Sequence, residues 1–175
     1  MGWSLSNHLQ PCDPAAVDAA LLAAGKALYL ANAFESKCRY VLRIANLVSF
    51  LDAHPGAGLD DAIASLARDK FLHPTIEGLK TFPIVKENEV ELLDKARDAR
   101  NFIAHEGGAF GDIFYAREPH IREHLDRLRK AVIDLAGGDN IVSRWVYEID
   151  EKEPAPLGMM LSYPALVEQW VFGDV

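Results

Sequence analysis

The sequence predicts an all-α fold, an up-and-down bundle of five to seven helices with a short C-terminal appendage. Half of the 175 residues are hydrophobic, which is enough to bury a core. Apolar residues recur at spacings of three and four through most of the chain, the period of a helix with one buried face. Glycine and proline pairs separate these segments, and runs of β-branched residues are short. A helical bundle is the architecture that these patterns favour.

The N-terminal third predicts one long helix and two short ones. The long helix is expected over Ala15–Ala53, because Asp13-Pro14 offers an N-cap followed by proline at the first helical position. Gly25 marks a place where this helix would bend or divide. A second helix is predicted over Asp60–Phe71. A break at His73-Pro74 leaves room for a short helical turn up to Leu79.

The middle of the chain predicts a helix with clear start and stop signals. Asn88 and Glu91 have the spacing of a capping box, in which each side chain satisfies a backbone N–H of the first turn. The helix is expected to reach His105 and to stop at Gly107-Gly108. A glycine-containing loop to Ala116 follows.

The remaining third predicts two or three further helices. One is expected from Pro119 to Ala136, where Gly137-Gly138 would end it. The segment Ile141–Ile149 fits a helix, with a strand as the alternative because the segment is rich in β-branched residues. A last short helix is expected to open at Tyr163-Pro164. We therefore divide the chain into a bundle over residues 1–140 and a helical appendage, packed on it, over residues 141–175.

Charge and cysteine content restrict the function classes. The net charge is −8, but the part from Glu148 onward carries −5 of it, so the first 147 residues carry only −3. This balance disfavours non-specific binding to long duplexes and still allows a local basic site. Two cysteines, Cys12 and Cys38, favour a reducing cytoplasm over a disulfide framework. We expect no membrane association, because the sequence has neither a secretory signal nor a run of about 20 apolar residues.

The strongest functional pattern is the hexapeptide Arg100-Asn101-Phe102-Ile103-Ala104-His105, at the end of the middle helix. At about 100° per residue, Asn101 and His105 share one helical stripe, and Arg100 lies roughly 140° from His105. A histidine transfers protons near neutral pH, and an arginine binds a phosphate and offsets its developing charge. Asn101 would orient the imidazole or the phosphate. This set suits attack by an RNA 2′-hydroxyl on the adjacent phosphorus without a metal.

Arg-Asn-x-x-x-His at the end of a late helix in a small bundle resembles the HEPN superfamily, whose signature is Arg-x(4–6)-His. The resemblance covers residues 15–136 and implies a metal-independent endoribonuclease with catalytic Arg100, Asn101 and His105 and no cofactor. It implies a homodimer in which two motifs form one site. It also implies a role in toxin–antitoxin or phage-defence systems, with an antitoxin or a nucleotidyltransferase-like protein as partner. The alternative is a non-catalytic module that binds nucleotide, RNA or a protein.

Other charged residues are secondary candidates for substrate binding. Arg97 shares the stripe of Asn101 one turn earlier, and Glu106 adjoins His105. On the long first helix, four charged side chains are candidates to face the motif from within the bundle: Glu35, Lys37, Arg39 and Arg43.

Two further interpretations concern the helix after the motif. His120-x-x-Glu123-His124 has the spacing of inverted zinc proteases, although such enzymes are much larger; a polar helix face is the plainer interpretation. The basic side chains of this helix would either contact phosphates or form intrahelical pairs such as Glu123–Arg127 and Asp126–Lys130.

Overall fold

The computed structural model describes residues 13–66, 71–82, 85–109 and 117–173. Every regular element in these ranges is a helix, so the predicted all-α bundle is confirmed. The helices are α1 (Pro14–Ala53), α2 (Leu59–Ser65), α3 (Leu72–Lys80), α4 (Glu87–Glu106), α5 (Glu118–Glu151) and α6 (Leu157–Phe172).

The four long helices alternate in direction along the chain. Helix α5 runs parallel to α1, since Val17 packs near Ile121 at one end and the Tyr40 hydroxyl donates to Asp150 at the other. It runs antiparallel to α4, because Arg127 pairs with Glu106 and Arg144 pairs with Glu89. Helix α6 returns along α5 and α1, with Asn140 donating to the Met160 carbonyl and Lys26 to that of Trp170. The short α2 and α3 lie in the connection between α1 and α4.

The core lies where α1, α4 and α5 meet. Phe34, Leu93, Leu128 and Trp145 have almost no exposed surface. Helix α1 also contains an 18-residue window with a mean hydropathy of 1.3, of which a third is buried. Its length and composition would allow it to cross a membrane, but core helices of soluble proteins share these properties.

The N-cap of α1 is as predicted, whereas that of α4 is not. The Asp13 carboxylate accepts a hydrogen bond from the Ala16 backbone N–H at 3.1 Å. In α4 the helix begins at Glu87, and it is Glu89, not Glu91, that reaches back, to the Lys86 N–H at 3.1 Å. The predicted Asn88–Glu91 capping box is therefore wrong. The carboxylate of Glu89 also pairs with Arg144 of α5, and this second contact holds it at the start of the helix.

The predicted helix end at Gly137-Gly138 is also wrong, because α5 continues to Glu151 and ends at Lys152 in the left-handed conformation. Gly138 lies against Ala96 of α4 and Phe34 of α1 in the core. The pair is thus a close-packing site of two helices. The expected domain boundary at residue 140 falls inside this continuous helix, and the segment 141–149 is helical.

Other predicted bounds shift by a few residues. Helix α1 is continuous through Gly25. Helix α2 ends at Ser65, not Phe71, and residues 67–70 lie outside the described part. Pro74 lies in the first turn of α3, where proline costs no hydrogen bond. Pro164 lies inside α6, which already begins at Leu157. Most of the loop after Gly107-Gly108, residues 110–116, is outside the described part.

Candidate active site

The motif occupies the last turns of α4, and the end of this helix is anchored to α5. Gly107 donates its N–H to the Ile103 carbonyl at 3.2 Å. The Gly107 carbonyl accepts a hydrogen bond from Nε2 of the buried His124 at 2.8 Å. Because a carbonyl only accepts, this ring nitrogen carries the proton. His124 therefore satisfies one of the carbonyls that a helix end leaves without an intrahelical partner.

The burial of α4 determines which way each motif residue faces. Ala99 and Ile103 point into the core, and Asn101 and His105 are exposed on the opposite side. Arg100 projects sideways towards α1. This arrangement agrees with the angular separation of Arg100 and His105 that a regular helix requires.

Arg100 belongs to a cluster that bridges α4 and α1. Its Nη2 forms an ion pair with the carboxylate of Glu35, and its Nη1 donates to the Asn101 Oδ1 at 3.3 Å. Arg39, one turn along α1, pairs with the other oxygen of the same carboxylate. We call these three residues, Glu35, Arg39 and Arg100, the arginine cluster. It holds two positive charges against one buried negative charge and thus leaves a net positive charge beside the motif.

His105 differs from Arg100 in having no partner within the described part of the chain. The side chain is exposed, and no hydrogen bond or ion pair is made to it by the residues that the structure describes. It is therefore free to contact a ligand or a second chain. Of the four α1 candidates, Glu35 and Arg39 face the motif. Lys37 turns instead to Asp139 of α5, at 2.6 Å, and Arg43 is exposed.

Arg97 and Glu106 point away from each other. Arg97 pairs with Asp94 at 3.0 Å and with Asp98 at 2.9 Å, and it lies 3.4 Å from His73 Nδ1 on α3. Its charge is therefore compensated on the α3 side of the helix. Glu106 pairs with Arg127 of α5 at 3.2 Å. The structure thus brings Asn101 next to Arg100 and places neither Arg97 nor Glu106 in the arginine cluster.

The histidine pair of α5 is not arranged as a zinc site. His124 is buried with Nε2 committed to Gly107, and His120 is exposed. Among the described residues, no group of three His, Cys, Asp or Glu side chains lies close enough together to hold a metal ion. The two histidines share one face of α5, as their spacing of four residues requires, and they differ in burial because His124 contacts the end of α4.

Along the seam of α4 and α5 lies an open groove of about 660 Å³, which we call the seam groove. The guanidinium of Arg127 stacks over the Phe102 ring at 5.0 Å. The predicted pairs Glu123–Arg127 and Asp126–Lys130 are not among the ion pairs of the described residues. Arg127 reaches across to Phe102 and Glu106 instead of pairing with Glu123. The seam groove was not predicted, although Phe102 within the motif and the basic cast of α5 were its signals. Its lining residues are Lys95, Asp98, Ala99, Phe102, Arg127, Lys130, Ala131 and Asp134.

A second polar cluster joins α1, α5 and α6 below the surface. The buried Asp139 accepts hydrogen bonds from Lys37, at 2.8 Å, and from the Tyr163 hydroxyl. Lys37 also donates to the Ser143 hydroxyl at 2.8 Å. Burial, and then the negative charge of Asp139, raises the pKa of Tyr163 well above its ordinary value. The phenol therefore stays protonated, and the cluster serves to fasten α6 to the bundle.

Comparison of the chain with family models, with curated proteins and with solved structures gives no match.

Proposed function

We propose that this protein is a metal-independent endoribonuclease whose site is completed by a second copy of the chain. The observation that carries the proposal is the contrast between His105 and Arg100 on one helix end. His105 is exposed and has no partner among the described residues, so its imidazole is accessible to a substrate. Arg100 is held in place by a buried carboxylate and keeps Nη1 next to the exposed Asn101.

In the proposed reaction, a base removes the proton of a 2′-hydroxyl, and the oxygen attacks the adjacent phosphorus. The bond from phosphorus to the 5′-oxygen breaks, and that oxygen takes up a proton. The products are a 2′,3′-cyclic phosphate and a 5′-hydroxyl. Arg100 binds the phosphate, and its charge offsets the negative charge that develops on the phosphorane. Arg39 and Arg100 share the single carboxylate of Glu35, so the arginine cluster keeps a net positive charge.

One chain supplies a single motif histidine, while the reaction needs a base and an acid. A two-fold axis next to His105 would bring two copies of the motif together and supply both groups. The homodimer is therefore part of the proposed mechanism. A toxin or phage-defence role, with an antitoxin or a nucleotidyltransferase-like protein encoded nearby, is the cellular setting that we propose, in the cytoplasm.

The experiment is RNA cleavage in EDTA, with product ends identified by their susceptibility to phosphatase and kinase. We expect His105→Ala to abolish cleavage and leave the melting temperature unchanged, since the side chain is exposed. His54→Ala is the control for cleavage, because His54 is an exposed histidine at the C-terminal end of α1 whose ring contacts Phe50 and no motif residue. Arg100→Lys preserves a positive partner for Glu35 but loses the planar guanidinium that binds a phosphate through two donors. This variant should therefore fold normally and cleave RNA poorly. Full activity of both motif variants would falsify the proposal.

A second function is favoured by one observation, the ion pair of Arg100 with the buried Glu35. A structural arginine makes this kind of contact, and a chain with such an arginine would be a non-catalytic module that binds nucleotide, RNA or a protein. This alternative expects no cleavage product from any RNA, but binding that weakens as salt rises. Product detection in EDTA separates the two functions directly.

A further inference from the structure

We propose that the seam groove binds the single-stranded RNA next to the cleaved bond, with Lys130 and Arg127 on its phosphates and the Arg127–Phe102 stack under a base. The proposal rests on the proposed function, because it names the surface that would carry the substrate strand to His105. The groove lies at the motif: the half-buried Phe102 is three residues before the exposed His105, which puts the two side chains about 60° apart around α4.

The floor and walls of the seam groove suit a strand of nucleic acid. The floor is formed by Ala99 and Ala131, whose small side chains leave an open channel between the two helices. The walls carry three cations, Lys95, Arg127 and Lys130, against two carboxylates. This is a net positive channel on a chain whose net charge is −8. A local concentration of cations is what phosphate binding requires.

Lys130 and Arg127 are the two cations that can turn to a ligand. Lys130 is exposed and makes no ion pair within the described ranges, whereas Lys95 is bound to Glu91 at 2.7 Å. Among the described residues, the only ion pair of Arg127 is with the exposed Glu106, at 3.2 Å, a contact of little energy that a phosphate would displace. Of the two acids in the groove, Asp98 is already paired with Arg97.

The stacked pair of Phe102 and Arg127 adds base recognition. The Arg127 guanidinium lies over the Phe102 ring, 5.0 Å from its centroid, and more than half of the Arg127 side chain is exposed, so a base can approach this pair from solvent. Unstacked RNA bases bind to such guanidinium planes and to aromatic rings, without regard to sequence. A double helix would not present its bases this way, so the proposed ligand is single-stranded.

The test uses the full chain carrying His105→Ala, so that RNA is bound and not cleaved. Fluorescence polarisation with a labelled single-stranded RNA of mixed sequence, at low ionic strength, gives the dissociation constant. We expect Arg127→Ala and Lys130→Ala each to weaken binding by about fivefold or more, and Phe102→Leu to weaken it while the helices stay folded. Glu106→Gln should tighten binding, since it releases Arg127 and removes a negative charge.

Arg122→Ala is the matched control. Arg122 is an exposed arginine of the same helix, paired with Glu118 and facing away from the seam groove, towards α1 and α6. An equal loss of RNA affinity in all three arginine and lysine variants would indicate diffuse charge attraction and would overturn the proposed binding in the seam groove. No measurable binding by the His105→Ala chain would overturn it as well.

Failure of the groove and failure of the ribonuclease function give different results. If the wild-type chain cleaves RNA and Arg127→Ala raises neither KM nor the dissociation constant, the groove is wrong and the enzyme stands. If no RNA is cleaved but Arg127→Ala and Lys130→Ala weaken binding while Arg122→Ala does not, RNA binding in the seam groove is supported and the ribonuclease function is wrong.

Discussion

Arg100 of the motif donates through Nη2 to the carboxylate of Glu35, which lies 65 residues earlier in the chain on α1. Only 9% of Glu35 is exposed. A carboxylate that is buried to this extent is stable only if it is paired, and here two arginines pair with it. The position of Arg100 is therefore fixed by α1 as well as by its own helix.

We predict that Glu35→Gln lowers the free energy of unfolding by about 1–3 kcal/mol, because an amide leaves the two arginines without their anionic partner. Cleavage should fall as well, since Arg100 loses the group that positions it. Urea unfolding measures the first effect and RNA cleavage the second. Glu91→Gln is the control, because the Glu91 carboxylate is exposed and pairs with Lys95 on the helix surface, so its loss should change stability little. Equal stability of both variants would contradict this role of Glu35.

The proposed site, shared by two chains, predicts a particular response to subunit mixing. If one active site needs His105 from both chains, an equilibrated 1:1 mixture of wild-type and His105→Ala chains keeps about one quarter of the wild-type activity. If each chain acts alone, about one half remains. Cleavage rates across a series of mixing ratios distinguish a quadratic from a linear dependence. A linear dependence would show that the site is complete in one chain.

Local sequence signals determine some features of this fold, and contacts between helices determine the others. The periodicity of apolar residues, the Asp13 cap and the helix end after the motif depend on nearby residues, and all three are confirmed. The Asn88 cap and the Gly137-Gly138 stop are wrong because contacts with another helix decide them. Glu89 pairs with Arg144 of α5, and Gly138 packs against Ala96 of α4. The pairing of Glu35 with Arg100 has no local signal, since nothing in the spacing of α1 and α4 sets how they align.

Gly138 is predicted to tolerate no side chain. A Cβ at this position would overlap the Cβ of Ala96 and come within 3.2 Å of the Leu92 carbonyl oxygen. Gly138→Ala should therefore separate α4 from α5 and lower stability by about 1–3 kcal/mol or more. Gly25→Ala is the contrasting variant, because a Cβ there meets nothing within 4 Å. It should raise stability by about 0.5–1 kcal/mol. The measurement is the melting temperature of each variant. Equal shifts for both would contradict the close approach of α4 and α5 at Gly138.

Cys38 should resist alkylation in the folded protein. The residue has no exposed surface, and burial raises the pKa of its thiol well above its usual range. The reactive thiolate is therefore scarce and out of reach. In a Cys12→Ser background, mass spectrometry after iodoacetamide treatment at pH 8 should show no adduct on the native chain and one adduct in concentrated guanidinium chloride. Rapid labelling of the native chain would contradict the packing of α1 against α5.

His124 is predicted to support catalysis from outside the site. Its Nε2–H donates to the Gly107 carbonyl and thereby anchors the end of α4 two residues beyond the motif. His124→Ala leaves that carbonyl without this donor and removes a buried ring. We expect a loss of about 1–3 kcal/mol in stability and faster amide exchange over residues 103–107. His120→Ala, four residues earlier and exposed, should have neither effect. If His124→Ala slows cleavage while added zinc restores nothing, the ring acts by positioning the helix end; recovery with zinc would instead assign it to a metal.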